Sequence, residues 1–144
     1  MTPLPNVLVI EDDPVSQHLL TAVAEKAGYG VRLAESVADA ESIADRLPID
    51  FIIADLSLPD GNGFPLVERL QARPYLKDVA FLVCSSSATI DTVQEAVRLG
   101  ALQYVMKPID IDDLEGRIYV SLAAPWFYRT VLRQSGTVID LRQH

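Results

Sequence analysis

The sequence predicts an α/β protein with a doubly wound, five-stranded parallel sheet between two layers of helices. Short apolar segments alternate with amphipathic segments five times, and clusters of Gly, Pro, Asp and Ser separate them. Two apolar segments, "DFIIAD" and "VAFLVC", are nearly continuous, which is typical of strands buried on both faces of a parallel sheet. Right-handed crossovers are the rule in such sheets, and five strands favour the order 2-1-3-4-5.

The predicted elements follow one another in strict alternation. The strands are 6–10, 31–35, 50–55, 79–84 and 102–106, and the helices are 14–28, 36–47, 64–72, 90–100 and 110–123. Residues suited to helix ends mark several of these boundaries: Asp13, Pro14, Gly28, Ser36 and Gly100. The segment 56–63, "LSLPDGNG", is dense in turn-forming residues, so we predict a loop there.

Composition excludes several classes of protein. A chain of 144 residues corresponds to one domain, and a net charge of −8 disfavours direct binding of nucleic acid. The single Cys84 cannot form an internal disulfide, which indicates a reducing compartment. No apolar run approaches the roughly 18 residues of a membrane span, and the N-terminus lacks the layout of a secretory signal. We therefore expect a cytoplasmic protein with no membrane partner.

Polar side chains stand at the carboxyl ends of four predicted strands. They are Glu11, Asp12 and Asp13 after the first strand, Asp55 at the end of the third, Ser85, Ser86 and Ser87 after the fourth, and Lys107 after the fifth. In the order 2-1-3-4-5 these four strands are successive neighbours, so their ends form one continuous patch. Ligands of open parallel sheets bind at this edge. The sequence therefore predicts a single polar site.

The residue types of this patch indicate its chemistry. Two carboxylates 4 Å apart repel by about 4 kcal/mol at an effective dielectric near 20, so a cluster of them requires a cation. Ligands that are all oxygen favour a hard divalent ion such as Mg²⁺. A dication, the ammonium of Lys107 and a serine hydroxyl together suit a phosphoryl group, for which Asp55 is a candidate nucleophile.

Four segments resemble the receiver domain of two-component response regulators, in the order and at the spacing of that family. They are "VLVIEDDP", "DFIIADLSLPDGNGF", "VAFLVCSSSA" and "GALQYVMKP". The resemblance extends over about residues 6–122 and implies a flavodoxin-like, CheY-like three-layer sandwich. We therefore assign residues 1–122 to a receiver domain. Residues 123–144 are predicted to form a helical C-terminal extension, either a homodimer contact or a connector to an output domain.

The resemblance also implies roles for individual residues. Asp55 corresponds to the phosphoacceptor, which also contacts the metal ion, and Asp12 corresponds to a direct ligand of Mg²⁺ or Mn²⁺. Glu11 corresponds to a metal ligand that acts through water, and Ser57 to one that acts through its backbone carbonyl. Ser85 and Lys107 correspond to the groups that hold the phosphoryl oxygens, and Tyr104 corresponds to the switch aromatic. Ser86 and Ser87 are secondary positions beside the site. In the family the bond that corresponds to Lys107–Pro108 is usually cis.

Plainer interpretations apply to Asp13, Asp60 and Tyr104. We interpret Asp13 followed by Pro14 as the start of a helix, in preference to the alternative that Asp13 is a metal ligand. Asp60 is interpreted as a turn residue. Tyr104 is either a switch or a static, half-buried aromatic with a hydrated hydroxyl.

The implied function is a phosphorylation switch. A sensor histidine kinase or a histidine phosphotransfer protein transfers a phosphoryl group to Asp55, and the surface of the fourth helix, fifth strand and fifth helix changes in response. On this hypothesis the chain is a signalling module and not a turnover enzyme. Three alternatives are an aspartate-based phosphohydrolase, a flavodoxin-like cofactor binder and a phosphorylation-independent adaptor. The acidic run "EDD" lacks the DxD spacing of the first, and the chain lacks the phosphate loop of the second.

Overall fold

The computed structural model describes residues 4–112, 114 and 138–140. The strands are β1 (Asn6–Ile10), β2 (Gly30–Ala34), β3 (Phe51–Asp55), β4 (Ser57–Leu58), β5 (Gly61–Asn62), β6 (Ala80–Ser85), β7 (Gln103–Met106) and β8 (Val138–Asp140). The helices are α1 (Pro14–Lys26), α2 (Val37–Arg46), α3 (Gly63–Gln71) and α4 (Ile90–Leu99), with a 3₁₀ turn at Pro74–Leu76. None of the helices among the described residues has the length and apolarity to span a membrane.

The main sheet has the order β2-β1-β3-β6-β7-β8. Its first five strands are parallel, with Leu8 of β1 opposite Ile52 of β3 and Ile52 opposite Phe81 of β6. These strands are the five that the sequence predicts, and their order confirms the predicted 2-1-3-4-5 topology. The carboxyl ends of β1, β3, β6 and β7 consequently lie side by side.

A sixth strand, β8, lies outside the predicted topology, and the prediction of a helical extension is wrong over 138–140, where the backbone pairs with a strand of the domain. It pairs antiparallel with β7, with Val105 opposite Val138 and Gln103 opposite Asp140. The rest of the extension predicted for 123–144 lies outside the described residues. The same is true of the predicted fifth helix beyond Leu114. The proposed dimer contact and connector therefore stay predictions.

Alternation along the strands divides the core between the two faces of the sheet. On one face Leu8 and Ile10 of β1 pack in a cluster with residues of α2, α3 and α4. On the other face Val7 and Val9 pack with Leu20 and neighbouring residues of α1. The side chains of these four β1 residues are fully buried, as expected of a central strand in a parallel sheet.

The predicted helix caps are confirmed where the structure describes them. The Asp13 carboxylate accepts a hydrogen bond from the Ser16 N–H (2.9 Å), and Pro14 is the first residue of α1. A carboxylate at this position is also favoured by the helix dipole. Gly100 ends α4 with a φ of 87°, a left-handed conformation that favours glycine. Asp13 is thus committed to starting α1, which supports the plainer of its two interpretations.

The prediction of a loop over 56–63 is wrong in part, because the segment contains the β4–β5 hairpin. Ser57 pairs with Asn62 and Leu58 with Gly61. At its base the Gly63 N–H donates to the Leu56 carbonyl (3.0 Å). Such two-residue strands carry no alternation that a sequence pattern could reveal.

Gly63, the first residue of α3 after this hairpin, leaves no room for a side chain. A Cβ placed there would lie 2.3 Å from the Asp55 carbonyl oxygen. Since that oxygen belongs to the backbone of β3, we expect Gly63→Ala to lower the free energy of unfolding by about 3 kcal/mol in urea denaturation. Gly61→Ala is the matched control, because its Cβ would meet a movable side chain of Val37 at 3.2 Å. Equal losses for the two variants would contradict the prediction.

Candidate functional site

The carboxyl ends of the central strands bring five of the predicted site residues together. Glu11 and Asp12 follow β1, Asp55 ends β3, Ser85 ends β6 and Lys107 follows β7. One oxygen from each of the three carboxylates lies within 4.8 Å of the others. Glu11, Asp55 and Ser85 are buried, whereas Asp12 is exposed. The site is therefore an acidic cluster that reaches the surface on one side.

Asp55 is held through both of its carboxylate oxygens. Oδ1 accepts a hydrogen bond from the Ser57 N–H (3.1 Å), and Oδ2 accepts one from the Lys107 ammonium (2.9 Å). Burial raises the pKa of Asp55, but hydrogen bonds with Glu11 and Lys107 outweigh burial, and the net direction is downward. Asp55 is thus kept as a carboxylate, which is the form that can act as a nucleophile.

Lys107 connects Asp55 to the other buried acid. Its ammonium forms ion pairs with both Glu11 and Asp55. Its backbone N–H donates to the Ser85 carbonyl (2.8 Å), which fixes the start of the segment after β7 against β6. Burial acts to lower the pKa of Lys107, but the hydrogen bonds and the negative charges of Glu11 and Asp55 together outweigh it and raise the pKa. The Lys107–Pro108 peptide bond is cis, as the resemblance implies.

Glu11 has the most unusual environment of the three acids. Its side chain is buried, one oxygen accepts from Lys107, and Oε2 has no hydrogen-bond partner among the described residues. Burial, followed by the hydrogen bond with Asp55, raises its pKa to about 7. An unsatisfied buried carboxylate oxygen is costly to maintain. Oε2 of Glu11 is therefore an acceptor that a cation, or a water molecule bound to one, can use.

A hard divalent cation fits this cluster. The donors are carboxylate oxygens, with neither His nor Cys among the grouped residues. The unpartnered oxygen of Glu11 and the exposed carboxylate of Asp12 leave acceptor capacity for a cation and its waters. The predicted water-mediated role of Glu11 and the carbonyl role of Ser57 stay predictions.

Tyr104 lies deeper than either sequence interpretation required. Its side chain is fully buried, so the alternative of a half-buried ring with a hydrated hydroxyl is wrong. Its hydroxyl donates to the Ser87 carbonyl (2.6 Å) and lies 3.2 Å from the Thr92 hydroxyl. Thr92 in turn forms a capping box with Thr89 at the start of α4. Tyr104 therefore connects β7 to the segment between the site and α4.

The secondary positions differ in their relation to the site. The Ser87 N–H donates to the Ser85 hydroxyl (3.3 Å), whereas the side chains of Ser86 and Ser87 are exposed. Sequence reasoning missed Thr92, whose available signal was the spacing of Thr89 and Thr92 at a helix start. It also missed the contact of Asp60, in the turn between β4 and β5, with the first turn of α2. That contact has no local signal, because the two segments are distant in the sequence.

Lys107 is expected to stabilise the fold, because it pairs with two buried carboxylates. Lys107→Met leaves Glu11 and Asp55 facing each other without a cation, so we expect a loss of about 2 kcal/mol in urea denaturation at pH 7 without added divalent metal. Adding Asp55→Asn to this variant removes the repulsion and restores part of the loss. Lys77→Met, at an exposed lysine, is the control and should change stability by less than about 0.5 kcal/mol. A further loss in the double variant would contradict this account.

Comparisons with known proteins agree with this geometry. The acid tolerance regulatory protein ActR of Rhizobium meliloti is 35% identical over 109 residues, which cover 76% of this chain and 55% of ActR. The chain thus spans about half the length of such curated relatives. Two further matched relatives are described as DNA-binding transcriptional regulators.

Solved structures share the fold. The chemotaxis response regulator CheY4 of Vibrio cholerae has a TM-score of 0.76 at 23% identity, covering 83% of this chain and all of that one (100%). A response regulator from Burkholderia pseudomallei, solved with a phosphorylated aspartic acid, a calcium ion and citrate, has a TM-score of 0.71 at 29% identity, covering 91% of this chain and 75% of that one. The sequence model of the response regulator receiver domain family matches residues 7–119. The chain therefore belongs to the response regulator receiver domain family.

Proposed function

We propose that the chain accepts a phosphoryl group on Asp55 from the phosphohistidine of a sensor histidine kinase or a histidine phosphotransfer protein. The observation that carries this proposal is the ionised Asp55, oriented by Ser57 and Lys107 beside an acidic cluster that suits a divalent cation. A two-component partner is what membership of the family implies. The Burkholderia relative with a phosphorylated aspartic acid supports the same chemistry.

In the proposed step an Asp55 oxygen attacks phosphorus while the bond between phosphorus and the donor histidine nitrogen breaks. That nitrogen keeps the electron pair, and because the other ring nitrogen of the phosphohistidine carries a proton, the donor leaves as neutral imidazole. The ammonium of Lys107, which contacts Asp55 Oδ2 in the free protein, would pair with a negatively charged oxygen of the phosphoryl group. The Ser85 hydroxyl, at the end of the neighbouring strand, donates to another of these oxygens.

Mg²⁺ or Mn²⁺ is the cofactor that this donor set suits. Asp12, Asp55 and the Ser57 backbone carbonyl would hold it, with Glu11 acting through a water molecule. When bound, it supplies positive charge to the phosphoryl oxygens. The chain's own contribution is to hold the three acids close together and to keep Asp55 deprotonated. The calcium ion in the Burkholderia structure supports a divalent cation in this family.

The response to phosphorylation is proposed to pass through Ser85, Ser87 and Tyr104. Ser85 ends β6, the Ser87 N–H binds its hydroxyl, and the Ser87 carbonyl accepts from Tyr104. A pull on Ser85 by the phosphoryl group would therefore alter the start of α4 and the surface formed with β7. The corresponding fifth helix lies largely outside the described residues. We propose a population shift of this surface, driven by contacts that exist only with the phosphoryl group.

We further propose that the domain is a signalling module whose chemistry is limited to its own phosphorylation and dephosphorylation. A net charge of −8 supports a domain that does not itself bind nucleic acid. The same proposal includes residues 123–144, either as a homodimer contact or as a connector to an output domain.

A groove beside the site suits a protein as phosphodonor. It has a volume of ≈ 380 Å³, and its lining includes Val15 and Leu19 of α1 together with Lys107, Pro108 and Ile109. Val15 is 68% exposed although it is apolar. An exposed apolar side chain in the groove that also contains Lys107, the partner of Asp55, supports docking of a donor protein on α1.

The acceptor assignment is tested by intact mass after incubation with acetyl phosphate and MgCl₂. We expect one phosphoryl group on the wild type and on Asp78→Asn, an exposed acid distant in sequence from the site. We expect none on Asp55→Asn or on wild type in EDTA. An adduct on Asp55→Asn would contradict the assignment. Sustained release of phosphate from a phosphomonoester would contradict a signalling role.

The docking groove is tested by Val15→Asn, which removes an apolar contact at an exposed position. With a histidine phosphotransfer protein that labels the wild type, transfer should slow by about fivefold, equivalent to about 1 kcal/mol. Labelling by acetyl phosphate, which needs no docking surface, should not change. His18→Asn, an exposed residue of the same helix outside the groove lining, is the control. Equal slowing with both donors would rule out a docking role for Val15.

A further inference from the structure

Asp60 lies in the turn of the β4–β5 hairpin, but its carboxylate binds a different element. Oδ1 accepts from the Val37 N–H (2.7 Å) and Oδ2 from the Ala38 N–H (3.2 Å). The N-cap of the same helix, Ser36, accepts from the Asp39 N–H (3.1 Å). The free N–H groups in the first turn of α2 are thus divided between two side chains, one local and one distant. The hydrogen bond from Val37, with the one from Ala38, lowers the pKa of Asp60.

The hairpin that carries Asp60 is too short to be stable alone. Its strands have two residues each, with Ser57 opposite Asn62 and Leu58 opposite Gly61. The tip rests on α2, since a Cβ at Gly61 would lie 3.2 Å from Val37 Cγ2. The first turn of α2 is therefore the surface on which the hairpin tip is seated.

The base of the same hairpin is part of the functional site. The Ser57 N–H donates to Asp55 Oδ1 (3.1 Å), and the Gly63 N–H donates to the Leu56 carbonyl (3.0 Å). Ser57 thus stands between a base fixed to β3 and a tip fixed to α2. Ser57 is therefore the residue of the hairpin that links the tip, fixed by Asp60, to the acidic cluster at Asp55.

We propose that Asp60 is a positioning residue for phosphorylation of Asp55. Its carboxylate, bound to the Val37 and Ala38 N–H groups, fixes the hairpin so that the Ser57 carbonyl is presented to the divalent cation. This inference rests on the proposed function, because it gives Ser57 its role as a metal ligand. It assigns to a turn residue on the protein surface an effect on the cation requirement of the reaction.

The test compares Asp60→Ala with Ser36→Ala. Each variant removes one side-chain cap from the start of α2, but only Asp60→Ala releases the hairpin. The readout is the MgCl₂ concentration that gives half-maximal labelling by acetyl phosphate. Removing a group that orients a metal ligand costs about 10–100-fold in metal affinity, and Asp60 acts one step further away, so we expect an increase of about five- to tenfold. At saturating MgCl₂ the labelling rate should approach that of the wild type.

Ser36→Ala should change the half-maximal MgCl₂ concentration by less than about twofold, because the hairpin keeps its contact with α2. Asp60→Asn retains one acceptor oxygen, so its increase should lie between those of the wild type and Asp60→Ala. Titration of MgCl₂ alone, followed by amide NMR shifts, measures cation affinity without a phosphodonor. It also shows whether each variant is folded, and if Asp60→Ala is not, the Asp60→Asn titration decides.

Equal increases for Asp60→Ala and Ser36→Ala would overturn the inference, because Asp60 would then act as a helix cap and nothing more. An unchanged MgCl₂ requirement in Asp60→Ala, with normal labelling of the wild type, would overturn the inference and leave the proposed function intact. A wild type that acetyl phosphate does not label would overturn both.

Discussion

The ammonium of Lys107 lies between Glu11 and Asp55, and this contact allows an acidic cluster to exist at the edge of an apolar sheet. Two carboxylates so close together and so deeply buried would otherwise repel or take up a proton. With Lys107 in place Asp55 stays ionised, while Glu11 carries the cost of burial in a raised pKa. Lys107 therefore neutralises only part of the negative charge of Glu11, Asp12 and Asp55, and the cluster has capacity for one more cation.

The sheet topology is what brings these charges together. Glu11, Asp55 and Lys107 are separated by 44 and 52 residues along the sequence, yet they follow or end strands that lie close together in one sheet. Each strand is held by apolar side chains on both of its faces, so the carboxyl ends have little freedom to move apart. A rigid apolar framework thus supplies the precision that the polar site requires.

Two connections lead away from the acidic cluster toward the helices. One runs through the β4–β5 hairpin, from Ser57 to Asp60 and the first turn of α2. The other runs from Ser85 through Ser87 and Tyr104 to Thr92 at the start of α4. Both end at helix N-termini, where free N–H groups and side-chain caps make the backbone sensitive to small displacements. Under the proposed function, these two helix starts are the places to which a change in the site would be transmitted.

Much of this protein is determined by local sequence pattern. Apolar continuity identified the central strands, Asp13 with Pro14 identified the start of α1, and Gly100 identified the end of α4. The candidate site followed from the same pattern, because parallel strands of a known order place their ends together. The resemblance of four segments to one family then gave each polar residue a role.

Other features depended on contacts between segments that are distant in the sequence. The burial of Tyr104, the binding of Asp60 to α2 and the pairing of β8 with β7 leave no periodic signal, since each depends on which segment lies opposite. The unsatisfied oxygen of Glu11 likewise appears only once its neighbours are in place. The sequence by itself determined the strands, the helices and the residues at their ends, because these follow from local periodicity and capping. The tertiary structure decided how those residues are paired, because a hydrogen bond or an ion pair requires both partners to meet in space.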